Sequence, residues 1–506
     1  KSGFFNPDKL PGKRLKPFTI IMPPPNANGS LHIGHAVFVT LQDIMIRYKR
    51  MQGFKTLWLP GSDHAGFETQ VVFDKKLEKE GRNRFEMSRN EQDRKQLYKE
   101  IDSFTQENKK VMEKQLRNLG ASCDWSRNTF TLNPKMIKII QDTFIKLYES
   151  GLIYRGERLV NWCTEHQTTL SDLEVKWITK NDPLYEIDYG TLKVATVRPE
   201  TIFGDVAVAV HPNGKYKHLV GKKATIPIVE RQIPIIADES VDESFGTGAL
   251  KITPSADFND YDIAKRHNLQ PLKFISQEGL LYGGYVYHEY LDHSTAETRP
   301  LVVDKLKKEG KLKVLDPNYS HSVACCYKCE RVLEPQILEQ WFIKMTEKPK
   351  SGGKSLRDFA IDAVKTKKVN FLTKRFEKIF LHWMKNLRDW NISRQIVWGI
   401  RIPAWYHDIC QGGYGAPIVS IRPPKKCPYE SASLIHSGPK QNCEPDKDVF
   451  DTWFSSGQWP FATLMTNKKG DFENFYTTDV METGYYILFF CLARMIMLGL
   501  YITGKV

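Results

Sequence analysis

Over the first 180 residues the apolar positions change period repeatedly. Short apolar runs at residues 18–22 and 56–59 predict strands, whereas residues 36–51, 68–80 and 91–119 repeat at helical spacing. Such alternation predicts a parallel sheet with crossover helices. From about residue 183 the pattern shortens. β-rich runs at 192–197, 206–210, 224–229, 232–236 and 250–252 are broken by Gly, Pro and Asp, which predicts a separate β-rich domain inserted into the first fold. Helical segments rich in Trp and Arg return after about residue 340, then two Gly/Pro-rich loops, then a closing apolar helix. The expected organisation is 1–160, a connector 161–182, an insert 183–323, a connector 324–345, and 346–506 as the second half of the first domain.

Ligands of open parallel sheets sit outside the carboxyl ends of strands. Two loops fall there: the run from Pro23 to His35 and Gly61-Ser62-Asp63-His64. Ser30 reads as an N-cap, with Val37, Leu41, Ile44, Met45 and Tyr48 repeating behind it. A helix N-terminus presents unpaired N–H groups and the positive end of a dipole, so this junction suits a nucleotide phosphate. His32 and His35 lie in the first turn, able to donate to phosphoryl oxygens, and Gly34 lets a flat ring approach the backbone.

The 506 residues point to several domains. A net charge of +14 favours a polyanionic partner. The nine cysteines are scattered and no signal peptide precedes them, so a reducing, cytoplasmic setting is expected. The apolar run 485–502 nearly has membrane-spanning length, but Arg494 sits at its middle, which predicts a buried helix and no membrane partner. Cys326-x-x-Cys329 is a candidate half of a zinc knuckle. Cys410, Cys427 and Cys443, with the pair His407-x-x-Cys410, are candidates for a second set. The basic run 365–378 is a candidate contact for RNA backbone or a solvated helix face. Lys1 is not an initiator methionine and Val506 closely follows the apolar segment, so the sequence reads as a fragment.

Ordered motifs run through the whole chain: Leu31-His32-Ile33-Gly34-His35, Gly61-Ser62-Asp63-His64-Ala65-Gly66, Asp124-Trp125-Ser126-Arg127, Asn161-Trp162-Cys163, Arg198-Pro199-Glu200-Thr201, the stretch from Gly246 to Pro254, Trp398-Gly399, and Asp451-Thr452-Trp453-Phe454-Ser455-Ser456-Gly457. They resemble those of class I aminoacyl-tRNA synthetases, most closely the valyl branch by its Gly61-to-Gly66 motif. The resemblance implies an α/β fold: a Rossmann-like parallel-sheet catalytic domain split by an inserted β-rich editing domain. It implies activation of valine by ATP with Mg²⁺, transfer to tRNA(Val) and hydrolysis of threonyl-tRNA(Val), by a cytoplasmic monomer.

Carried over by motif, His32 and His35 stabilise the α-phosphate. Asn28, Gly34 and Gly484 join them at ATP. Asp63 holds the amino acid's ammonium, and Pro25, Trp398 and Trp453 wall its side chain, while Trp390 packs in the core. Thr196, Arg198, Thr201, Lys251, Thr253, Asp257 and Asp260 line the editing pocket. An apolar pocket for valine rejects threonine poorly; the handling of threonine by this class of enzyme is a standard worked case of about 10² discrimination, which a second hydrolytic site remedies.

Two departures stand out. Tyr486 and Ala256 replace the family's usual Asp and His, and no Lys-Met-Ser-Lys-Ser loop occurs. A stand-alone editing or tRNA-binding module with a vestigial nucleotide site therefore stays open as an alternative. An isoleucyl enzyme is disfavoured by the Ser62-to-Gly66 residues.

Overall fold

Apolar and β-branched residues after Pro17 form β1 (Pro17–Ile21), and a like run forms β2 (Lys55–Leu59). They pair in parallel, Pro17 opposite Lys55 through Ile21 opposite Leu59. A parallel pair needs a crossover, and α1 (Ile33–Met51) supplies it. On the other side of β1, Val480 bridges Ile20, again in parallel. The structure is a computed structural model describing residues 3–14, 16–406, 417–424 and 443–506. It divides into two compact units, residues 1–155 with 341–506, and residues 156–340.

The first unit continues with β3 (Gly61–Ser62), α2 (Gly66–Lys79), α3 (Glu91–Asn118), β4 (Thr129–Phe130) and α4 (Pro134–Glu149). Side chains alternate across the sheet. Phe18, Ile20, Met22 and Trp58 pack with Val39 and Ile46 of α1, while Ile21, Leu57 and Leu59 pack with Met136, Ile140 and Phe144 of α4. Both faces are thus covered, as parallel sheets require. Each such aliphatic side chain contributes roughly 1.5–3 kcal/mol of burial. Trp58 Nε1 donates to Gln42 Oε1 at 3.0 Å, both side chains fully buried, which fixes the height of α1 against β2.

Two expectations are corrected here. The N-cap of α1 is His32, not Ser30, because the imidazole itself takes the orphan N–H of Gly34. Most of the apolar repeat of α1 does not face the sheet either, and of its five residues Met45 alone packs on the sheet's core. Val37, Leu41, Ile44 and Tyr48 are exposed, and the buried positions are Val39, Gln42 and Ile46. The helix carries apolar residues on two faces, and the sheet takes the one that includes Gln42.

The closing apolar run is not one helix. It is a 3₁₀ turn (Tyr485–Ile487), a π turn (Leu488–Leu492) and an α-helix (Ala493–Thr503). Arg494 is 4% exposed, its Nη1 donating to the Phe490 carbonyl at 3.0 Å and its guanidinium 3.9 Å from the Trp390 ring centroid. Among the described residues no helix is long and apolar enough to cross a membrane.

The second unit opens in β5 (Ile153–Cys163), which pairs antiparallel with β6 (Thr168–Leu170). There follow β7 (Val175–Asp188), β8 (Lys193–Thr196), β9 (Ala207–Val210), β10 (Lys223–Thr225), β11 (Gln232–Ala237), β12 (Ala249–Ile252), α5 (Phe258–Arg266), α6 (Thr295–Lys308) and β13 (Leu312–Cys326). They form a sheet β10–β11–β9–β12 and a sheet β13–β7–β8. In β9, Val208 and Val210 face the larger core with Ile187, Val194 and Phe203, whereas Ala207 and Ala209 pack with Ile263 and Ala264 of α5. The five short β-rich runs of the sequence correspond to β8–β12, with ends that differ by up to four residues, whereas the long strands β7 and β13 had no such run.

Candidate functional site

In the first unit the loops after β1 and β2 run side by side. Asp63 N–H donates to the Pro25 carbonyl at 2.9 Å and Ala27 N–H to the Asp63 carbonyl at 2.8 Å, a parallel bridge between Asn26 and Asp63. Both motif loops therefore lie at the carboxyl end of the sheet, with Val480 on the far side of β1.

At the mouth of α1 the two histidines cap the helix reciprocally. His32 Nδ1 accepts from Gly34 N–H at 3.1 Å, and His35 Nδ1 accepts from His32 N–H at 3.2 Å. Their ring centroids are 4.0 Å apart. Because each Nδ1 is an acceptor, each neutral ring carries its proton on Nε2 and keeps that N–H as a donor. Burial, and then the neighbouring His32, push the His35 imidazole below its ordinary pKa, which keeps it neutral near pH 7. A Cβ on Gly34 would meet His32 Cε1 at 2.9 Å, so the flat ring that needs this glycine is His32's own. Asn28 is half-buried in the turn it forms with Ala27, followed by half-buried Gly29 and exposed Ser30.

Asp63 is 4% exposed. Its Oδ1 accepts from Ala65 N–H at 3.0 Å and from Thr131 Oγ1 at 3.1 Å, with His64 Nδ1 also 3.1 Å away, and its Oδ2 accepts from Ser456 Oγ. Burial alone would raise this carboxyl, but the bonds from His64, Ser456 and Ala65 outweigh it and hold the group below the usual carboxylate range. Trp398 is fully buried, its Nε1 donating to the His64 carbonyl at 2.8 Å and its backbone N–H to Gln70 Oε1 at 3.1 Å. Pro25 is buried too, while Trp453 is half-buried, 5.1 Å from the Phe490 ring. Trp390 lies in the core, donating to Asp451 Oδ2 at 2.9 Å.

Gly484 lines a cavity of 720 Å³ with Met45, Val480, Glu482 and Tyr485; neither histidine lines that cavity. The Tyr486 side chain lies outside the described residues. Thr131 and Ser456 bond the Asp63–His64 loop and Gln70 holds the Trp398 backbone beside it, yet nothing in their local sequence marks them beyond Ser456's place in a quoted motif.

In the second unit Lys251 lies on β12, Thr253 and Asp257 in the turn before α5 and Asp260 in its first turn, while Thr196 ends β8 and Arg198 and Thr201 follow it. Lys251 is 6% exposed. Its Nζ donates to Thr201 Oγ1 at 2.7 Å, Asp205 Oδ1 at 2.9 Å and Thr253 Oγ1 at 2.6 Å, which uses all three of its hydrogens. Thr253 N–H donates to Asp260 Oδ2 at 2.8 Å. Asp257 caps α5, accepting from Asn259 and Asp260 N–H at 2.8 and 3.0 Å. Burial, and then the Asp257 and Asp205 charges, push the Asp260 carboxyl up to about 8, against the pull of Lys251 and the Thr253 N–H. Arg198 is held by Glu200 at 3.0 Å and Glu334 at 2.7 Å, with its N–H donating to Thr196 Oγ1 at 3.0 Å. Asp205, which ties this set together, went unread because it stands four residues beyond the motif that names Thr201.

A third constellation lies in the same unit. Cys163 ends β5 and His166 lies in the turn after it, and Cys326 ends β13 with Cys329 in the turn that follows; the four ligand atoms lie within 4.8 Å of one another. Cys163 Sγ and Cys329 Sγ are 3.6 Å apart. Bonds of about 2.3 Å from a tetrahedral zinc to sulfur require spacings of this order, so the donor set fits that ion. The partner pair for Cys326 and Cys329 is therefore Cys163-x-x-His166. The readable signal was its matching x-x spacing. Cys410, Cys427 and His407 lie outside the described residues.

A sequence model of the family tRNA synthetases class I (I, L, M and V) matches residues 1–506. Among curated proteins, the Valine--tRNA ligase of Clostridium acetobutylicum is 43% identical over 100% of this chain and 55% of its own length. That of Carboxydothermus hydrogenoformans is 44% identical over 99% of this chain and 54% of its own, and that of Pseudothermotoga lettingae 44% over 96% and 54%. The chain spans about half the length of these relatives. With the family matched from end to end, this chain belongs to the class I tRNA synthetases of the I, L, M and V group.

Proposed function

We propose that the chain carries the synthetic and editing parts of a valine–tRNA ligase working as a cytoplasmic monomer. In the synthetic reaction the valine carboxylate attacks the α-phosphorus of ATP, pyrophosphate leaves, and the valyl group passes to the 3′ end of tRNA(Val). The observation that carries this reading is the reciprocal cap at α1: two imidazoles, each accepting a backbone N–H through Nδ1, which leaves Nε2 of each as the donor for phosphoryl oxygens. Such preorganised donors favour the charge that builds up in the transition state without reorganising. Mg²⁺ carried by the ATP phosphates would supply charge neutralisation there. Asp63, already ionised, meets the substrate ammonium by a charge-assisted contact. The substrate's identity rests on the 43–44% identity to proteins named for valine.

The β-rich unit takes the editing role, with Thr196, Thr201, Thr253, Lys251, Arg198, Asp257 and Asp260 around the misattached threonyl ester. Asp260 grips its α-ammonium, an arrangement that favours the ionised carboxyl once substrate is present. Cys163, His166, Cys326 and Cys329 hold a structural zinc that ties two hairpin turns.

Amino-acid-dependent ATP–pyrophosphate exchange by the full-length protein tests the synthetic reading. Valine is expected to support the fastest exchange and threonine a slower one. Faster exchange with isoleucine or leucine overturns the assignment. The 506-residue chain by itself is expected to exchange weakly or not at all, since it has no Lys-Met-Ser-Lys-Ser sequence.

A further inference from the structure

Asp205 has no exposed surface, yet its carboxylate accepts hydrogen bonds from three buried side chains. Its Oδ1 accepts from Lys251 Nζ at 2.9 Å and from Thr253 Oγ1 at 2.5 Å, and its Oδ2 accepts from Tyr189 Oη at 2.5 Å. The Arg231 guanidinium donates to its backbone carbonyl at 2.5 Å. The remaining hydrogens around it can be followed one by one. Lys251 gives its three to Asp205, Thr201 and Thr253. Thr253 gives its hydroxyl hydrogen to Asp205, and Thr201 gives its own to the Arg198 carbonyl at 2.9 Å. Each threonine oxygen has two lone pairs, and one is taken by Lys251. What remains on each is one acceptor and no donor.

We propose that Asp205 is the positioning residue of the editing site: it anchors the Lys251 ammonium and turns the Thr253 hydroxyl hydrogen inward, so that Thr201 and Thr253 can offer only lone pairs. This rests on the reading of the unit as the threonyl-ester hydrolase. It deepens that reading by giving a physical basis for selection. A threonyl side chain brings a hydroxyl donor to an acceptor; a valyl side chain brings a methyl group that would leave the acceptor unpaired. Asp205 reaches no substrate itself. Its effect passes through Lys251 and Thr253.

The test is deacylation of threonyl-tRNA(Val) by the 506-residue chain and its variants, with kcat and KM resolved. Asp205→Asn removes the charge that holds Lys251 and leaves the pocket's shape, so kcat is expected to fall about thirtyfold with KM within about twofold. Thr253→Val lowers kcat comparably, and Thr253→Ser restores most of it. The double variant D205N/T253V is expected to be no slower than the slower single variant, because both changes break one chain of contacts. Losses that multiply in the double variant indicate a merely structural Asp205 and overturn the proposal. So does D205N activity within threefold of the parent. If D205N does not fold, as judged by its melting transition, Tyr189→Phe decides: removing the donor to Oδ2 should cut kcat roughly three- to tenfold, and an unchanged rate overturns the proposal. A parent chain that leaves the threonyl ester intact overturns the editing reading and this inference together, whereas an active parent with an equally active D205N overturns only the role of Asp205.

Discussion

Ser456 donates its hydroxyl to Oδ2 of Asp63, 393 residues earlier in the chain. Both side chains are buried. The contact joins the Gly61-to-Gly66 loop to the short helix Thr452–Ser456, so two motifs far apart in sequence form one wall. Ser456→Ala leaves a buried, ionised carboxylate short of a partner, and should cost about 1–3 kcal/mol in urea denaturation at pH 7. Asp63 titrates below its unfolded value, so its contribution is present above about pH 4 and is lost as pH falls through the folded-state pKa. The S456A deficit should therefore shrink in acid. A deficit independent of pH would show that the hydroxyl acts on something other than the carboxylate.

Asp260 has the opposite sign. Its carboxyl is pushed up to about 8, while in the unfolded chain it titrates near 4. Stability from this group is full below about pH 4 and is lost as pH rises through 8. Asp260→Asn should abolish that loss, so its stability relative to the parent should improve between pH 5 and pH 9, by about 2–5 kcal/mol. The same variant should lose threonyl-ester hydrolysis at every pH, and the parent's hydrolysis should rise with pH towards 8. Melting curves and deacylation rates across this range check both halves, and a parent–variant stability gap that stays flat would contradict the burial of an un-ionised acid.

Legibility in the sequence followed the range of the interactions. β1 and β2 were readable because strands buried on both faces need nearly continuous apolar runs, and 18–22 and 56–59 have them, with Thr19 and Thr56 as the polar exceptions. The histidine pair was readable because its cap is made within four residues. The cap residue itself was misread, since a serine is the commoner cap and an imidazole one is seen only in the geometry. Thr131, Ser456 and Asp205 escaped for another reason. Each acts on a partner 46 to 393 residues away, where no local pattern records the contact. The metal set was half legible: two x-x spacings are written in the chain, but only the register of β7 with β13 and of β5 with β6 brings them together.

The Cys₃His cluster predicts about one equivalent of zinc per chain, measured by elemental analysis after dialysis. Cobalt substitution should give the visible absorption of a tetrahedral thiolate site. Cys326→Ser should lower occupancy and destabilise the β-rich unit, since metal binding free energy adds to folding free energy. His166→Cys should retain zinc, because it supplies a fourth thiolate at the same x-x spacing. Metal-free protein with an unchanged melting temperature would remove the structural role.

Gly34 sets two backbone effects of similar size against each other. An alanine near the start of α1 gains about 1 kcal/mol in helix propensity over glycine. Its Cβ, however, would stand 2.9 Å from His32 Cε1 and 3.1 Å from Nδ1, so the ring must swing off its cap, at about 1 kcal/mol. Stability of Gly34→Ala should therefore lie within about 1 kcal/mol of the parent in a chemical melt. Activity should not be spared, because under the proposed function the displaced ring no longer offers its Nε2 to the α-phosphate. Valine-dependent exchange by the full-length protein should fall at least about tenfold, in kcat more than in KM for ATP, since the lost donor matters most where charge develops. Unimpaired exchange in a well-folded G34A protein would mean that the observed pose of His32 is not the working one.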